Sequence, residues 1–220
     1  MKFLNVTIAA LAMTTAAFAQ VAAGLDTPFQ VRYAANLNFG ESYVDITNTG
    51  AANGGPSISG PGFGAQTGNI CVNVYAFDPS EELVSCCSCL VTPDQTVNLG
   101  VVANLTSKTL TGVVPTSVTI KLLASTNNGT GTTTTACNQT AATVTAATIV
   151  PSGLAAWGTT LHLTPVAGTY ATTETAFTPA TLSAGELASI TGRCAAIIGN
   201  ASGFGICSSC RTGALGGTKL

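Results

Sequence analysis

The stretch SCCSC at residues 85–89 places Cys86, Cys87 and Cys89 almost side by side. A disulfide needs Cα atoms about 5.5 Å apart, whereas chain neighbours sit about 3.8 Å apart. Each of the three therefore seeks a partner elsewhere. On a strand, alternation puts Cys87 and Cys89 on one face and Cys86 on the other. Five more cysteines complete the set: Cys71, Cys137, Cys194, Cys207 and Cys210. Cys207 and Cys210, in GICSSC, are natural partners for the cluster. An even count of eight allows four bridges, in roughly a hundred connectivities among which spacing does not choose.

The compartment decides what such cysteines do. The chain opens MKFLNVTIAALAMTTAAFAQ. Lys2 supplies a positive start, an apolar run follows to Met13, and Ala17-Phe18-Ala19 fits the small-residue rule for signal-peptide cleavage. Residues 1–19 are expected to be a signal peptide, and residues 20–220 one secreted β-rich domain. Oxidising compartments favour disulfides. Zinc held by the CCxC and CxxC thiolates is the rival reading, but the spacing is irregular and oxidation competes. A redox CxxC draws its low thiol pKa from a helix N-terminus. Only RTGALGGTKL follows Cys210, so a staple is expected and no metal or cofactor.

Charged residues are 7% of the chain, against about 25% in ordinary soluble domains. Seven Lys/Arg, Lys2 among them, and nine Asp/Glu leave residues 20–220 at a net charge of −3. That balance offers no basic patch for nucleic acid and no polybasic segment for an anionic membrane. No later stretch reaches the ~18 apolar residues of a membrane-spanning helix, so the protein is not expected to be an integral membrane protein. Low charge with abundant Thr and Val fits a β-rich surface that tolerates association.

Short strands punctuated by turns run along the chain. Phe29–Tyr33 and Tyr43–Ile46 alternate and join near Asn38–Gly40, and residues 48–68 form a Gly/Asn/Pro/Ser loop. Cys71–Phe77, Leu83–Val91 and Val97–Val102 read as a three-stranded meander with the cysteine cluster on its central strand. Residues 117–125, TVTAATIV (143–150) and LAAWGTTLHL (154–163) are further expected strands. One helix is expected over 184–198: Ser183 and Glu186 form a capping box, Leu182 and Leu187 a staple, and Gly199 suits the terminating position. Leu187, Ile190, Cys194, Ile197 and Ile198 share its apolar face. The expected fold is mainly β, an antiparallel sandwich or barrel-like domain with one C-terminal amphipathic helix, stapled by disulfides.

Catalytic groups are scarce. His162 is the one histidine, and a base needs a nucleophile or metal beside it. No GxSxG, HExxH or phosphate-loop motif occurs. Asp78, Glu81 and Glu82 lack calcium-loop spacing and read as a solvated turn. Tyr33, Tyr43, Tyr75, Trp157 and Tyr170 are candidates either for a sugar-stacking platform or for core packing.

The segments YAANLNFGESYVDITNTG, NICVNVYAFDPSEELVSCCSCLVTP, VPTSVTIKLLAS, AAWGTTLHL, TLSAGELASIT and the Ala201–Gly205 ending before ICSSCR resemble an uncharacterised family of exported bacterial proteins. The likeness spans most of residues 20–220. It implies a bacterial source and a place in the periplasm, on the cell surface or outside the cell. It implies no catalytic residue. The function expected is that of a non-enzymatic secreted or cell-surface structural protein, a self-assembling filament or matrix subunit. In that role Val21–Asn38 is a candidate donor strand for a neighbour's sheet edge. The alternative is a secreted carbohydrate- or surface-binding, adhesin-like module, with a surface polysaccharide as its partner.

Overall fold

The structure is a computed structural model that describes residues 27–52, 68–126, 137, 140–208 and 210–212. The expected signal peptide, most of the 48–68 loop and residues 21–26 of the candidate donor strand lie outside the described residues. Alternating apolar residues produce two antiparallel five-stranded sheets. The first contains β1 (Phe29–Ala34), β3 (Ile70–Phe77), β4 (Leu83–Val91), β6 (Val118–Thr126) and β9 (Thr178–Pro179), in the order β4-β3-β6-β1-β9. The second contains β2 (Ser42–Asn48), β5 (Thr96–Gly100), β7 (Leu154–Leu163), β8 (Tyr170–Ala176) and β10 (Arg211–Thr212), in the order β10-β5-β2-β7-β8.

The sheets pack face to face over one core, with Val72, Val74, Ile120 and Leu122 opposite Val44, Ile46, Leu99 and Leu154. The other face of the first sheet carries Tyr75, Phe77 and Leu123, which pack under α2 (Ala184–Gly199) and the short α1 (Thr140–Thr143). β3 is consequently buried on both faces along its whole length. Its sequence ICVNVYAF is an almost unbroken apolar run, as double burial requires. Its one amide, Asn73, is satisfied by Leu123 O, Ser125, Ser88 and Thr140.

The helix forms for the reasons legible in its sequence. Ser183 Oγ accepts from Glu186 N at 3.0 Å, and Ile190, Cys194 and Ile197 are buried on one face. Glu186 does not complete the capping box. Its carboxylate instead takes the ammonium of Lys121 on β6. Gly199 stays inside the helix, and the left-handed position falls on Ala201 (φ 54°).

Two strand assignments are corrected. The expected meander breaks after β4. β5 crosses to the second sheet and pairs with β2 over Tyr43–Thr47, so the cysteine cluster lies on an edge strand rather than a central one. The crossing turn is set by Asp94 (φ 63°) and by Gln95, whose backbone N–H donates to Thr92 O and whose side-chain oxygen accepts from Thr92 N. Residues 101–102 leave the strand for a π-helical turn, Val101–Leu105. TVTAATIV is not a strand either: it begins at the end of α1 and continues as a 3₁₀ turn, Ala146–Thr148. Finally, Phe29–Ala34 of the candidate donor strand pairs within its own chain, with β6 over six residues and with β9.

Candidate functional site

The densest constellation is the cysteine framework. All eight cysteines are paired: Cys71–Cys137, Cys86–Cys194, Cys87–Cys207 and Cys89–Cys210, with Cα separations of 5.5, 6.0, 5.5 and 5.7 Å. β4 alternation assigns the roles. Cys86 faces the helical layer and ties α2 to the sheet. Cys87 and Cys89 face the second sheet and hold the C-terminal segment.

That segment closes one side of the sandwich. Cys86 N donates to Gly205 O at 2.9 Å, and Cys207 N donates to Cys86 O at 3.3 Å. The chain then crosses the gap between the sheets, and β10 pairs with β5. Gly205 must be a glycine here: its φ is +74°, and a Cβ would meet Ile197 Cγ2 at 2.8 Å. No cysteine is left free.

Several titratable groups are tied into the fold. Asp78 Oδ1 accepts from Ser80 N and Glu82 N, both at 2.9 Å, and so shapes the β3–β4 turn. Glu41 accepts from Val102 N at 2.7 Å and Ala103 N at 3.0 Å, which caps the π-helical turn. Asp45 accepts from Asn98 Nδ2 and Thr159 Oγ1. Arg32 reaches between the sheets, donating to Thr160 Oγ1 at 3.0 Å. Desolvation lowers its pKa, and Asp45 opposes that shift. Tyr75 donates to Ala141 O at 2.8 Å, and burial raises its pKa. Among the described residues, no group of three or more His, Cys, Asp or Glu side chains converges as a metal site would require.

The candidate aromatic platform separates. Tyr75 is core, at 0% exposure, and Tyr33 lies on β1 in the first sheet. Trp157, Tyr43 and Tyr170 share the outer face of the second sheet, as the pairings Asp45↔Trp157, Tyr43↔Thr159 and Leu163↔Tyr170 require. Trp157 is 36% exposed, Tyr170 52% and Leu163 63%. His162 stands exposed on β7, its Nε2 3.0 Å from Thr173 Oγ1 on β8.

Sequence reading missed β8, although Tyr170 and its threonines are strong strand formers. It also missed an apolar groove of about 670 Å³ between α2 and the β1 end of the first sheet, lined by Phe29, Leu123, Ile149, Leu182 and Leu187. The groove's polar groups are spoken for: Ser183 caps α2, and Thr191 Oγ1 donates to Leu187 O. Among the described residues no helix is long and apolar enough to cross a membrane. Comparison with known proteins finds no matching family model, no matching curated protein and no matching solved structure.

Proposed function

We propose that the protein is a non-enzymatic structural subunit that works outside the cytoplasm and associates with copies of itself. The observation that carries this reading is the bridge pattern. Four disulfides join residues 66 to 121 positions apart, and they tie the sheets, the helix and the C-terminal segment together. Such long closures stabilise most in the chain-entropy account and belong to oxidising surroundings. The low charge and the turn, cap and core duties of the acidic groups support the same reading. The resemblance to exported bacterial proteins agrees with it. The test is light scattering on the oxidised protein, recovered from a secreting host, over rising concentration. Assembly supports the reading, and a strict monomer at millimolar concentration sinks it.

A second reading rests on Trp157, Tyr170 and Leu163, which give the second sheet an amphipathic outer face of the kind that stacks on sugar rings. Glycan-array binding lost in Trp157→Ala, without assembly, would favour a carbohydrate-binding module instead.

A further inference from the structure

Among the described residues the two sheets present four edges, and three are protected. β4 is partly covered by the Gly205–Cys207 backbone. β9 is two residues long and contains Pro179, and β10 is two residues long. β8 differs. It is seven residues long, exposed at every position and, among the described residues, paired on one side only, with β7. Exposed edges are usually blunted by proline, lysine, a bulge or an overlying segment. YATTETA has no proline and no lysine, and its register with β7 is unbroken.

We propose that β8 is the self-association edge, and that its occupant is β8 of a second copy, antiparallel about a two-fold axis at Thr173. This rests on the self-associating role proposed above and names its contact. Charge and length select the register. Glu174 is the only charge on the strand. Centring the pair on Glu174 sets two carboxylates opposite each other, which is unfavourable. Centring it on Thr173 sets Glu174 against Thr172 of the other copy and pairs all seven residues. Paired residues share a face, so the outer-face row then runs Trp157, Ala176, the other copy's Tyr170 and the other copy's Leu163. The exposed apolar side chains of the β7–β8 hairpin cover one another across the joint. The contact is isologous and closes as a dimer, so growth into a filament uses a further, different surface.

The test uses the full oxidised chain and two substitutions at one exposed position. Thr172→Glu places a carboxylate opposite Glu174 twice per dimer, and Thr172→Lys places an ammonium there. Sedimentation velocity should show the wild type dimerising. The dimer dissociation constant should rise at least about fivefold in T172E and fall in T172K, with unchanged thermal midpoints. Opposite signs at one site would not arise from loss of folding. Assembly indifferent to both substitutions would overturn the β8 contact and leave the structural reading standing. A wild type monomeric throughout would overturn both.

Discussion

A Cβ added at Gly158 would fall inside the guanidinium of Arg32. Gly158 is on the inner face of β7, and Arg32 lies across it to reach Thr160 Oγ1 and Tyr43 O. Gly158→Ala is expected to cost about 1–3 kcal/mol, the usual penalty of overpacking. If displacement of Arg32 is the cause, the cost shrinks in an Arg32→Ala background. A double-mutant cycle in urea measures that coupling. Tyr75 gives a pH signature at the same scale. Its raised pKa means that the folded state keeps the phenol neutral. The contribution is complete below about pH 10, where the unfolded tyrosine is also neutral, and declines as pH rises further. Tyr75→Phe should cost about 1 kcal/mol near neutrality. It should also flatten the alkaline decline, as urea midpoints at neutral and alkaline pH will show.

Among the elements, α2 and β7 were legible because each carries its own period: LAAWGTTLHL is β7 residue for residue, and the helix ends one residue from expectation. β4 and β5 were legible as strands but not as partners. Period-two alternation says which residues face inward and not which sheet receives them. The Thr92–Gln95 turn looks like a hairpin turn until Asp94 turns the chain toward β2. At TVTAATIV, strand propensity lost to packing, because Ala141 and Val144 are drawn into the helical layer. The cysteine faces were readable from alternation on β4, whereas the pairing depended on where α2 and the C-terminal segment settle.

That segment yields a prediction about the paired bridges. Cys87–Cys207 and Cys89–Cys210 close nearly the same loop. With one intact, the other adds only a small ring. Replacing either pair by serine should cost about 2 kcal/mol; replacing both, with Cys86–Cys194 still holding residues 86 and 194 together, removes the closure of a ring of about 15 residues as well and should cost about 5 kcal/mol, more than the sum of the two, in the chain-entropy account. Guanidinium unfolding of the three variants checks the non-additivity. Gly205→Ala tests the same docking from the backbone side. It forces a left-handed residue against Ile197 and should lower stability by about 1–3 kcal/mol.

For the molecule as a whole, complete pairing predicts an intact mass eight hydrogens below that of the reduced chain, since all eight cysteines are bonded. Thiol-reactive label should find nothing before reduction. The arrangement also bears on what happens when the molecule is pulled. Between residues 27 and 212 the Cys87–Cys207 bridge short-circuits 120 residues of chain. Only about 65 residues can pay out, roughly 220 Å at full stretch, against roughly 640 Å for the reduced chain. The extension of the oxidised molecule thus has a built-in stop: under tension the strands leading to the cysteine cluster can peel away, while the helix and most of the second sheet stay outside the path of the force.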